Sequence, residues 1–169
     1  MNIQKLFKKE LFICGIISII IGGIAFYIGW GFSSTFSIDA QKPNYSVLDI
    51  FLNNEKVSLL IIIGVFSLGL IDIALLIYNF FIFGASIHFY ADEFGIKNML
   101  LKILPHGIVE IPSIFLASAF GFLLLYQLVK KNSNFRWKDF IFQGVEIMVI
   151  TGILNFIAAF IEGTVSMNL

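Results

Sequence analysis

The stretch VSLLIIIGVFSLGLIDIALLIYNFFIFGASIHF, residues 57–89, decides the fold. As one helix its 33 residues would run about 50 Å at ~1.5 Å per residue, against a hydrocarbon core of about 30 Å. One straight crossing is too long. Two crossings are short, but Gly69 and Asp72 lie near the middle, and Asp is a good N-cap for a second helix. Flanking charge decides between them. Lys5, Lys8, Lys9, Lys130, Lys131, Arg136 and Lys138 are seven of the eleven basic residues, in one cluster at the N-terminus and another at 129–139. The positive-inside rule places both clusters in the cytoplasm, so an even number of crossings must separate them. A tight helical hairpin over 57–89 meets that condition. The sequence therefore predicts five spans, at about 11–32, 57–70, 72–90, 105–128 and 140–162, with the N-terminus cytoplasmic and the C-terminus extracytoplasmic.

Composition agrees with an all-α polytopic membrane bundle. A chain of 169 residues, 59% hydrophobic and 13% charged with a mean hydropathy of +0.94, has more apolar surface than a soluble core of its size could hide. Twenty Phe and long Ile and Leu runs point to lipid-facing helices, whereas a barrel would show short alternating segments. Net charge is zero and no basic patch is interleaved with exposed aromatics, which argues against a nucleic-acid partner. The single cysteine, Cys14, excludes an internal disulfide and reads as a small buried residue. KLFKKE before the first apolar run has the charge of a secretory signal. The run itself is too long for a signal core and no A-x-A-like site follows, so it is expected to be an uncleaved anchor.

Outward from the hairpin, the first span carries Gly15, Ser18, Gly22, Ala25 and Gly29 at spacings of three and four, a helix-packing face. Residues 33–56 form the longest polar segment. Within it, Ser46 and Asp49 resemble a capping box, which predicts a short amphipathic surface helix ending near Asn53 and Asn54. On the far side, Ile96, Met99, Leu100 and Ile103 alternate with Lys97, Asn98 and Lys102 in a second such helix, and the chain re-enters the membrane at Pro105. Trp30 and Trp137 suit interfacial anchors. In the fifth span Thr151, Asn155, Ala159 and Glu162 share one face, expected to point inward. The third span contributes Asn79 and His88.

The fourth span opens with the most unusual segment, LPHGIVEIPSIFLASAFG at 104–121. An ionisable group within a span costs at least about 2.5 kcal/mol, so His106 and Glu110 should face protein or water. They are four apart and share a helix face. Pro105 suits the first helical position, and Pro112 deprives the Ile108 carbonyl of its partner and should kink the helix. Ser113, Ala117 and Gly121 then recur every fourth position as a second packing seam. With five spans, His88, His106, Glu110 and Glu162 fall within a turn or two of the outer surface, which predicts one outward-opening polar pocket. The bland alternative is a hydrogen-bond network that fixes the packing of spans three to five. His106 and Glu110 make H-x-x-x-E rather than the H-E-x-x-H of a zinc peptidase, so no metal site is expected. Ser86 and Ser113 lack a G-x-S-x-G turn, so no catalytic residue is assigned, and no cofactor is expected. A proton or ion path would use Glu110 and Glu162, continued by Asp72 and Glu146.

FLNN at 51–54, then Gly64, Gly69, Asn79 and Gly84, then LPHGIVEIPSIFLASAFG and finally IAAFIEG at 157–163 together resemble the stage II sporulation protein M family. The likeness is to its short form, which also accompanies circular bacteriocin gene clusters. Its most specific part is Pro105, His106, Gly107, Glu110 and Pro112. The resemblance implies a multi-pass bacterial membrane protein of about five spans with no established catalytic activity. The family's recurrent polar positions carry over to Asn53, His106, Glu110 and Glu162. Sporulation members are scaffolds that recruit cell-wall hydrolases on the outer face of the membrane, and others occur with bacteriocin production or tolerance or beside ABC transporter subunits. The short N-terminus and loops of this chain leave little soluble surface for a hydrolase to grip. Two functions are therefore expected to compete. One is a non-enzymatic scaffold or accessory subunit in the lipid bilayer, as a homo-oligomer or with other envelope proteins. The other is an export or self-immunity component whose Glu110 and Glu162 attract a cationic peptide.

Overall fold

The computed structural model describes residues 3–32, 45–130 and 135–166, all in helices or the short turns between them. The helices are α1 (Ile3–Gly31), α2 (Val47–Ile63), α3 (Leu70–Phe94), α4 (Ile96–Gly121), α5 (Leu123–Val129) and α6 (Trp137–Ile161). A 3-10 turn at Gly64–Ser67 extends α2, and a π turn at Glu162–Ser166 extends α6. Five segments are long and apolar enough to cross a membrane: Lys9–Gly31, Val47–Ser67, Leu70–Phe94, Ile103–Val129 and Trp137–Thr164. The fourth is made by α4 and α5 together.

The hairpin forms where the sequence placed it. Leu68 (φ 55°) and Gly69 (φ 85°) are both left-handed, a conformation that glycine adopts freely and leucine only when its surroundings hold it there. Ser67 does part of that holding, donating to the Gly64 carbonyl at 2.6 Å and accepting from the Ile71 amide at 3.0 Å. Gly69, rather than Asp72, occupies the N-cap of α3. Asp72 lies in the first turn, and its side chain is turned away from the helix end toward α4.

The segments read as surface helices are helical, but each opens a longer helix. Ser46 and Asp49 do form the reciprocal capping box, with backbone-to-side-chain distances of 3.2 and 3.0 Å. From there α2 continues through Asn53 and Asn54 because no Gly or Pro interrupts it before Gly64. On the other hairpin, α4 starts at Ile96, directly after Gly95, and runs unbroken through Pro105 and Pro112. Pro105 is thus a helix-interior residue, not the first of its helix. The two prolines remove the donors that the Leu101 and Ile108 carbonyls would otherwise meet, and the helix persists on its packing.

Both small-residue stripes are used within the chain. On α1, Glu10, Cys14, Ser18, Gly22, Ala25 and Gly29 are buried together. A Cβ on Gly22 would press on the rings of Phe115 and Phe80, and one on Gly29 or Gly84 would overlap the carbonyl of Phe81 or Phe26, so α1 and α3 touch backbone to backbone. Gly15 faces Ala119 more loosely, at 3.7 Å. On α4, Ser113, Ala117 and Gly121 are buried, and a Cβ on Gly121 would overlap the Asp72 carboxylate. Leu76, Phe80, Ala117, Phe120, Leu123 and Phe140 form the centre of the core, with Phe80 stacked on Phe115 and Phe120 on Phe140.

Contacts between helix ends define two ends of the bundle. At the proximal end, Lys130 after α5 reaches Glu10 of α1 at 3.2 Å, and Gly69 of the α2–α3 turn abuts the ring of Phe122, where α4 gives way to α5. At the distal end, Trp30 stacks on His88 and Val47 lies against Gly163.

Candidate functional site

The polar side chains inside the bundle divide between those two ends. At the distal end Glu110, on α4, lines a cleft of about 60 Å³ with Asn79, Phe80 and Phe83 of α3 and with Ile111 and Ile114. Since a water needs roughly 10–15 Å³ measured in this way, the cleft has room for a few waters. The π turn after α6 brings Glu162 within electrostatic range of Glu110, two like charges in one neighbourhood. Gly107 is buried one turn before Glu110, against Phe83.

The predicted histidines are distributed differently from the expected single pocket. His88 belongs to the α1–α3 seam: its ring stacks on Trp30 at 4.8 Å, Nδ1 donates to the Trp30 carbonyl at 2.7 Å, and Nε2 is 3.2 Å from Asp92. It thereby pins the end of α1 to α3. His106 is half-buried on α4, one turn before Glu110. Asn79 donates to the Leu75 carbonyl one turn back, at 2.7 Å, while Asn53 is exposed. Of the candidate pocket, then, Glu110 and Glu162 are brought into mutual range, with Asn79 at the cleft.

A second polar seam links α2, α4 and α6. Asn155 is fully buried and donates to Glu55 and Ser58, both at 2.9 Å, while Ser113 donates to the Thr151 carbonyl at 3.4 Å. Thr151, Asn155 and Ala159 are all buried, as the periodicity of the fifth span predicts. Glu55 went unseen in the sequence because its polar neighbours Asn53, Asn54 and Lys56 read as a helix end. Ser113 is engaged in helix packing, which is its role here.

At the proximal end every described carboxylate inside the bundle meets a donor. Glu10, only 2% exposed, accepts from the Gln127 amide and from Lys130 at 3.2 Å. The hydrogen bond to Glu10 holds the Lys130 ammonium above its ordinary pKa. Asp72 accepts from Ser118 at 2.7 Å through one oxygen, while its second oxygen, over Gly121, is buried without a hydrogen-bond partner among the described residues. Glu10 reads in the sequence as part of a charged N-terminus. Its signal was its register, since it stands four before Cys14 and eight before Ser18 on the buried stripe. Glu146 is exposed on the outer side of α6, so it does not extend a path from Asp72. Among the described residues no three of His, Cys, Asp and Glu are grouped as a metal would need.

Fold and interior together define a multi-pass helical membrane protein with interhelical polar pairs and a water-sized acidic cleft. The chain belongs to the family of stage II sporulation protein M, which matches residues 11–167. It is 28% identical over 130 residues to the uncharacterized protein MJ0706 of Methanocaldococcus jannaschii, covering 73% of this chain and 56% of that protein. It is 36% identical over 132 residues to the uncharacterized protein MJ0793 of the same organism, covering 71% of each. The chain thus spans little more than half the length of the first of these relatives. No solved structure matches it significantly.

Proposed function

We propose that this protein is a non-enzymatic membrane scaffold or accessory subunit for other membrane or cell-envelope proteins. The observation that carries the reading is that the described interior polar groups are mostly engaged in joining helix to helix, while the cleft at Glu110 is small. Family membership is compatible with this reading, and the partner classes proposed are cell-wall hydrolases and ABC transporter subunits. Because the small-residue stripes are consumed internally, partners would meet the outward helix faces and the distal end instead. The N-terminus is assigned to the cytoplasm and the C-terminus to the outside. Support comes from the Glu10–Lys130 contact, which ties the two basic clusters to one end of the bundle.

A second reading rests on the like-charged pair at the distal end. Glu110 and Glu162, facing outward in this orientation, would attract a cationic peptide, as an export or self-immunity component requires. Purification from the host in mild detergent, with mass spectrometry of what co-elutes, separates the readings. A scaffold keeps its envelope partners in the His106→Ala, Glu110→Gln double variant. A peptide-handling protein keeps its membrane level and loses activity. Elution of a lone monomer with no partner would overturn the scaffold reading.

A further inference from the structure

Helix α6 has two dissimilar faces. Phe140, Gly144, Ile147, Thr151 and Asn155 are buried, in the packing against α2 and α4. On the opposite side Phe142, Glu146, Val149, Ile153, Phe156 and Phe160 are all exposed. Their spacing alternates between four and three, and at ~100° per residue all six lie within about 40° of one line along the helix. Five of them suit lipid as well as they suit protein. Glu146 does not.

Glu146 stands seven residues beyond Asp139, about 10 Å into the span at ~1.5 Å per residue, or roughly a third of the hydrocarbon thickness. Its side chain is too short to snorkel to water from there, as a lysine could. No described hydrogen bond or ion pair engages it. Carboxylates at such depth face protein or trapped water. An apolar seam repeating every ~3.5 residues is the pattern by which one helix lies along another in a left-handed pair, and a single polar seam position fixes the register.

We infer that this face of α6 is covered by a transmembrane helix of a partner protein that presents a Lys or Arg side chain at the depth of Glu146. A second copy of this chain is the poorer fit. Copies share one orientation in the membrane, so α6 against α6 sets Glu146 against Glu146. The exposed Lys56 of α2 sits nine residues from the distal start of its helix, well above Glu146. The inference rests on the scaffold reading and adds what the partner must carry.

The test uses the full chain in liposomes and a synthetic Leu/Ala helix of about 21 residues bearing one Lys about 10 Å from its cytoplasmic-side end. Energy transfer between labelled protein and peptide reports association, with an all-apolar peptide and a peptide carrying Lys near the opposite end as references. The depth-matched peptide should bind about 3- to 30-fold more tightly than either reference, the range an interhelical polar contact supports. Glu146→Gln should lose most of that preference, and Glu146→Lys should reverse it toward a peptide carrying Glu. Equal binding of all peptides overturns the inference, as does tight self-association of the protein through this face. Because no partner from the host is needed, failure here is distinct from failure of the scaffold reading, which is judged by co-elution.

Discussion

The proximal and distal ends of this bundle use the same residue types in opposite ways. At the proximal end Glu10 meets Gln127 and Lys130, and Asp72 meets Ser118. At the distal end Glu110 lines a small cleft and has Glu162, a like charge, within electrostatic range. A carboxylate in a membrane is costly, and a donor offsets that cost by making it part of the packing. Where two carboxylates approach each other, packing gains nothing from their charges. The contrast makes the proximal groups part of the fold and leaves the distal pair as the candidate for the proposed function.

The largest expected effect breaks the proximal side. Gly121→Val drives side-chain atoms into the Asp72 carboxylate and separates it from Ser118, which should cost about 3 kcal/mol through overpacking and a lost buried hydrogen bond. Thermal melting in detergent checks it. Glu10→Ala comes next: it leaves the buried Gln127 amide without its carboxylate and should destabilise by about 2 kcal/mol. On the distal side, Glu110→Gln relieves the repulsion from Glu162 and should leave stability within about 0.5 kcal/mol of wild type, with envelope partners retained and only peptide tolerance lowered.

Titration gives the smallest effect. The Glu10 hydrogen bond raises the Lys130 pKa above the ordinary 10.5, so its stabilisation is complete below that value and is lost as pH rises through the higher folded-state pKa. Between about pH 6 and 9 Lys130 should add no slope to the melting temperature, and the loss in stronger alkali should stay smaller than that of Glu10→Ala, because the Gln127 hydrogen bond to Glu10 remains.

Much of the fold was legible because spans and hairpins follow from length, glycine position and charge clusters. The tight turn at Gly69 and the inward face of Thr151, Asn155 and Ala159 are read directly from such signals. Helix boundaries were harder. Polar residues at 53–56 and Pro105 look like helix ends, yet a good cap at Ser46 and a Gly at 95 start helices that tertiary packing carries past them. Partner choice among polar groups was least legible, because it depends on which helix lies opposite. Glu10 looked solvated and is buried, whereas Glu146 looked like an interior relay and faces outward.

One paired measurement tests the division of labour most directly. Glu10→Ala and Glu110→Gln are purified from the host under identical conditions, each melted in detergent and each assayed for co-eluting partners. The account predicts a melting temperature about 4–8 °C below wild type for Glu10→Ala, at roughly 2–4 °C per kcal/mol, and within about 2 °C for Glu110→Gln. It also predicts that Glu110→Gln keeps its envelope partners and its fold, and that only a peptide-dependent activity falls. A Glu110→Gln protein that melts as low as Glu10→Ala, with any functional loss tracking its unfolded fraction, would contradict it and make the distal pair structural as well.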